Sequence, residues 1–327
     1  MITRFKILSS CAVFACLVCA CNASVSPTLQ TSTTASPGAA VQTPTPAVCS
    51  ATSLQKQFEE IASVAAGPVG VAVLEIETGE LVTLSGKQHF PMQSVYKLPI
   101  GMAVLQQVDK GLLKLDQIVH VKPADLVPAN LGSPLRDRHP QGADVTLSEL
   151  LSLMVKDSDG TASDVLLNLI GGPDAATKYL RELGVEDIVV ATSERDMAGD
   201  VQVQYRNWST PEAMVGLLKL LHEGRGLTAA SRTLLLDWMV KTQTFPTRLK
   251  GMLPEGTIVA HKTGSSGARD GVARATNDVG LITLPNGHHL AIAVFVSDTK
   301  ADAKTRDAVI ARSARAAWDC WVTSEKK

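Results

Sequence analysis

Strand-like segments stand at both ends of this chain, with a long helical stretch between them. "VGVAVLEIETGELVTLS" (69–85) reads as two strands joined by the turn "ETGE". Near the other end, "GTIVAHKTGSSG" (256–267), "ARATNDVGLITLP" (273–285) and "HHLAIAVFVSD" (288–298) read as three more, the last two joined through "LPNGH". Strands joined by short turns pair antiparallel, so one antiparallel sheet is built from both ends of the sequence. "ATSLQKQFEEIASVAA" (51–66) and "ADAKTRDAVIARSARAAWDC" (301–320) have helical spacing and would cover it. From Ser94 to about Leu220 the pattern is mostly helical, broken by "KPADLVPANLGSP" (122–134) and by an irregular stretch at 191–208. The expected class is α+β: a sheet lobe from about 51–88 and 240–327, and a helical lobe from about 89–239.

The first fifty residues stand apart from that pattern. "MITRFK" is a short basic start, and "ILSSCAVFACLVCA" is an apolar run too short to span a bilayer but suited to an export signal over 1–20. "LVCAC" is similar to a bacterial lipoprotein signal, which would make Cys21 a lipid-bearing N-terminus. Cys19 is an unusual occupant of such a motif, and cleavage after Ala23 without lipid is the alternative. Residues 21–50 carry no charge and no apolar periodicity, so they read as a Ser/Thr/Pro-rich disordered tether, roughly 30 Å in reach. The expected location is therefore the periplasm, with the membrane touched only through the lipid. Of six cysteines, removal of the signal leaves Cys21, Cys49 and Cys320. With Cys21 lipidated, a bridge between Cys49 and Cys320 requires the first and last helices to pack antiparallel with these ends adjacent; two free thiols are the alternative.

A formal net charge of −1 and 4% aromatic residues argue against a nucleic-acid binder, which needs a basic face. The chemistry concentrates elsewhere. "HFPMQSVYKLP" (89–99) places Ser94 and Lys97 one turn apart at the start of an apolar helix, where the helix terminus favours a serine oxyanion and a lysine that yields its proton. Alone, Ser-x-x-Lys is a weak signal. "KDSDGTASD" adds Ser158, able to relay a proton to a leaving nitrogen. "AHKTGSSG" adds Lys262 and Thr263, able to hold a carboxylate by charge and hydrogen bond. His261 precedes Lys262 and points to the opposite face of the strand. "GHH" at 287–289 offers two imidazoles with no third ligand expected nearby, so no metal site is assigned.

The three elements in this order resemble the serine penicillin-recognising enzymes. Over about residues 52–320 the chain resembles a class A β-lactamase, with "SVYKLPIGMAVL", "NLIGGP", "YLRELG" and "LLLDWMVKTQT" as further matching segments. The resemblance implies a five-stranded antiparallel sheet with terminal helices packed on it, a helical lobe, and a site between the lobes. It also implies that the first and last helices bring Cys49 near Cys320. It assigns Ser94 as acyl acceptor, with Lys97 as its base and Ser158 as proton donor to nitrogen. Backbone N–H groups of Ser94 and Ser265 form the oxyanion hole, and Ser265 contacts the substrate carboxylate. Glu194, in "VVATSERDMAGDVQVQYRNWSTP", matches the Ω-loop glutamate that activates the hydrolytic water. No metal or organic cofactor is implied.

Several positions depart from that family's pattern. Arg195 stands where proline is usual, Ala198 where an asparagine orients the water, and Asp164 where most members have asparagine. A cis bond before a non-proline residue costs about 3–4 kcal/mol, so the Glu194–Arg195 bond is expected to be trans and the loop to follow a different path. Gly160 replaces an asparagine and is expected to widen the site. Arg248 matches a position from which some members send an arginine to the substrate carboxylate; a surface arginine is the alternative. The reaction expected is hydrolysis of β-lactams, conferring resistance, by a monomer. A D-alanyl-D-alanine peptidase, a penicillin sensor fused to a transmembrane part, and a silent cell-wall-binding lipoprotein are the rival readings.

Overall fold

The computed structural model describes residues 49–324; the expected export signal, the tether and the Cys21 lipid site lie outside them. Helix α1 (Ala51–Ala62) starts at a reciprocal cap, with the Ser50 side chain accepting from the N–H of Ser53 while Ser53 accepts from that of Ser50. Strands β1 (Val69–Glu75) and β2 (Leu81–Leu84) follow as a hairpin. The helical part then runs through α2 (Lys97–Asp109), α3 (Leu147–Lys156), α4 (Gly160–Leu169), α5 (Glu194–Gly199) and α6 (Pro211–His222), among shorter or flanking helices. Strands β3 (Val259–Ser265), β4 (Thr276–Thr283) and β5 (His289–Val296), then α7 (Ala303–Ser324), close the chain.

All five strands join one antiparallel sheet in the order β2-β1-β5-β4-β3. The N-terminal hairpin therefore lies beside the last strand, and β3 is left at an edge. "VGVAVLE" and "LAIAVFV" are nearly all apolar because both faces of the sheet are covered. Alternate side chains serve two cores. Val71, Val73 and Ile292 meet Leu54, Phe58, Trp318 and Trp321 of the two terminal helices. Ala72, Leu74, Ala293 and Phe295 face the other way, toward α6 and the helical part. Helix α6 falls within the segment expected as the helical lobe, yet it packs against β1 and β5.

Helix α1 packs against α7, and a disulfide joins Cys49 to Cys320 across 271 residues, with their Cα atoms 5.0 Å apart. The expected bridge is present. The stretch expected to be irregular at 191–208 is more ordered than its composition suggests, since it holds α5, a 3-10 turn at Val203–Arg206 and the short strand Trp208–Ser209. Among the described residues every peptide bond is trans, including Glu194–Arg195. No described helix is long and apolar enough to cross a membrane.

Candidate active site

A cleft of about 470 Å³ opens along the free edge of β3, between that strand and the helical part. Ser94 lies on a 3-10 turn, Gln93–Tyr96, and Lys97 is the first residue of α2. Residues Leu98–Leu105 of α2 are buried all round, so the helix that carries Lys97 is a rigid post inside the core. The turn is clamped from outside. The Asn277 amide donates to the Pro91 and Met92 carbonyls, at 2.8 and 3.0 Å. Gln93 is held at φ +47 and donates to the Gln204 side chain at 2.7 Å. A non-glycine residue in that region marks backbone strain held by its surroundings.

Gly264 explains how β3 comes so near this turn. A Cβ there would lie 2.4 Å from the Met92 carbonyl oxygen, so no larger residue permits the approach. Antiparallel ladders alternate bonded and non-bonded pairs. The Ser266 N–H donates to the Ala275 carbonyl, which makes Ser265–Thr276 a non-bonded pair. The Ser265 N–H therefore points off the sheet edge into the cleft, as an oxyanion donor requires.

Lys97 is wholly buried and joins two elements. Its ammonium lies 2.9 Å from Glu194 Oε1 and donates to the Ser158 carbonyl at 2.6 Å. Ser158, with φ +59, is presented just before α4, whose N-terminus is capped by buried Asp159. The Ser158 hydroxyl accepts from Lys262 Nζ at 2.9 Å. Lys262 is itself buried; desolvation, and then the positive charge of Lys97, lower its ionisation to about pH 7. It reaches the cleft through Ser158 rather than by lining it. Thr263 lines the cleft and its hydroxyl lies 2.7 Å from that of Thr244, while Ser265 lies beyond it on the same wall. His261 is buried against Asp278 at 2.9 Å, on the strand face opposite Lys262.

Three groups set the path of the Ω-loop. The Asp164 carboxylate accepts from the N–H of Glu194 at 2.8 Å and of Arg195 at 3.0 Å, which fixes the start of α5. Arg195 donates to the carbonyls of Ala124 and Leu126, tying the loop to the segment beside it. Buried Asn207 accepts from the N–H groups of Ala191 and Thr192. Asp164 and Arg195 were visible only as departures, and nothing local marks Asn207 as an anchor. Arg269 and Arg274 also line the cleft, with no motif to announce them.

Gly160 lies under the 127–133 segment, where a Cβ would stand 3.1 Å from the Gly132 carbonyl. Both readings of Arg248 are corrected. Arg248 is neither a surface residue nor part of the cleft wall. It is buried, pairs with Asp307 at 2.8 Å, and donates to the carbonyls of Gly264 and Asn277, each at 3.0 Å. The absence of a third ligand near 287–289 is also not met, because Glu77 and His222 converge on His289.

Residues 53–321 match the model of the β-lactamase enzyme family. The chain belongs to that family. It is 42% identical over 267 residues to the extended-spectrum β-lactamase PER-1 of Pseudomonas aeruginosa, covering 81% of this chain and 86% of that one. It is 38% identical over 271 residues to β-lactamase VEB-1 of the same organism, covering 82% and 90%. Among solved structures, a β-lactamase from Chitinophaga pinensis aligns at 48% identity with a TM-score of 0.80, covering 82% of this chain and 99% of that one. A class A β-lactamase from Bacteroides cellulosilyticus aligns at 36% identity and a TM-score of 0.77, covering 82% and 98%. The resemblance to class A and the sheet-plus-helices fold it implied are both borne out.

Proposed function

We propose that this hydrolase opens the β-lactam ring through an acyl-enzyme on Ser94. The observation that carries the reading is the Lys97 ammonium, 2.9 Å from Glu194 and 2.6 Å from the Ser158 carbonyl, on the turn after Ser94 in a cleft edged by Thr263 and Ser265. Ser94 Oγ attacks the lactam carbonyl as its proton passes to the Lys97–Glu194 pair, directly or through water. The N–H groups of Ser94 and Ser265 hold the negative oxygen that forms. The C–N bond then breaks, and the Ser158 hydroxyl, backed by Lys262, gives its proton to the nitrogen and takes up from the Lys97–Glu194 pair the proton that Ser94 lost. Glu194 takes a proton from water, which attacks the ester carbonyl; the ester bond breaks as that proton returns to Ser94 Oγ through the Lys97–Glu194 pair.

Thr263 and Ser265 bind the substrate carboxylate, with Lys262 supplying positive potential through Ser158. Arg248 acts as a positioning residue, because its bonds to the Gly264 and Asn277 carbonyls fix β3 against β4 at the oxyanion hole. The extended-spectrum β-lactamase PER-1 among the relatives supports an extended spectrum of β-lactam substrates. The apolar N-terminal run and Cys21 support a periplasmic, lipid-tethered protein, and the β-lactamase relatives support a role in resistance; a monomer is the state proposed. Mixing the protein with a chromogenic cephalosporin tests the reaction. Steady turnover over many equivalents is expected, and a burst of one equivalent that stalls would make the protein a penicillin-binding module instead.

A further inference from the structure

We propose a second site, a metal centre formed by Glu77, His222 and His289 at the end of the sheet where β1 turns into β2. Glu77 lies on that turn, His289 opens β5, and His222 is the last residue of α6. One ligand atom from each falls within 4.8 Å of the others, in residues separated by as many as 212 positions. The His222 and His289 rings are tilted against each other with centroids 4.3 Å apart, and His289 Nδ1 lies 2.9 Å from Glu77 Oε1.

Two imidazoles and one carboxylate suit a late first-row divalent ion such as Zn²⁺. Three protein ligands leave a position open to solvent, toward a neighbouring cavity of about 520 Å³ lined by both histidines and Asp237. The C-terminal end of α6 adds partial negative charge. Arg232 opposes the ion, but its guanidinium donates to the His222 carbonyl at 2.8 Å. The ion would link α6, β5 and the β1–β2 turn, at the end of the sheet away from Ser94.

The test is calorimetric titration of Zn²⁺ into the untagged full chain, with its free thiols alkylated under non-reducing conditions, and into three variants. One equivalent is expected to bind the wild type. His222→Ala and His289→Ala are expected to weaken binding at least about tenfold, and Glu77→Gln by a smaller factor. Turnover of a chromogenic cephalosporin by each variant shows that it is folded, since none of these residues touches the cleft. No binding by the wild type at about 100 μM Zn²⁺, or affinity unchanged in both folded histidine variants, overturns the proposal.

Discussion

Buried beside a second ammonium, Lys262 releases its proton near pH 7 in the folded chain against about 10.5 when exposed. Its folded value is depressed, so stability rises with pH from about 7 toward 10.5 while the cation that favours a substrate carboxylate is lost. kcat/KM is therefore expected to fall as pH rises through about 7, and a pH–rate profile of Lys262→Arg should lack that limb because arginine stays charged. Asp164 shifts the other way. Burial raises it to about 6 despite two N–H donors, so its relative contribution is present below about 3.8 and lost as pH rises through 6. Asp164→Asn should abolish that loss in denaturation curves taken at pH 4 and 7. It should also slow deacylation roughly tenfold, because one amide oxygen replaces two acceptors for the Glu194 and Arg195 N–H groups. Ser94, Lys97, Ser158, Lys262 and Thr263 were legible because acyl transfer restricts residue type and order. The burial of Arg248 was not, since it depends on distant backbone, the carbonyls of Gly264 and Asn277.

At the scale of elements, the catalytic turn and β3 meet through one glycine. Gly264→Ala would drive a methyl into the Met92 carbonyl and push β3 from Ser94, a displacement that costs about a hundredfold in rate when it reaches 1 Å. Steady-state kinetics of this variant should show that loss in kcat/KM with little change in secondary structure by circular dichroism. Strands β1 and β5 were legible from their apolar runs because both faces of the sheet are covered there, whereas β3 and β4 bury His261, Lys262, Asn277 and Asp278 and were legible from their flanking turns. Helix α5 was not. Its six residues carry no periodicity, and it is set by the Ser193 cap together with Asp164, some thirty positions away.

Across the whole molecule, residues from both ends of the chain are needed to close one sheet and one cleft. The Cys49–Cys320 bridge fastens those ends on the face of the sheet covered by the terminal helices. Cys49→Ser should lower unfolding free energy by about 2–5 kcal/mol in chemical denaturation, with turnover at 25 °C nearly unchanged. In the proposed reaction Ser94 carries the acyl group, and Glu194, held 2.9 Å from Lys97 by a rebuilt loop, releases it. Intact-mass spectrometry of wild type and Glu194→Ala after mixing with a cephalosporin tests it most directly. The predicted result is a lasting adduct on Ser94 in the variant and a free wild-type enzyme once substrate is spent. An adduct on another residue, or a variant that clears its adduct as fast as wild type, would contradict it.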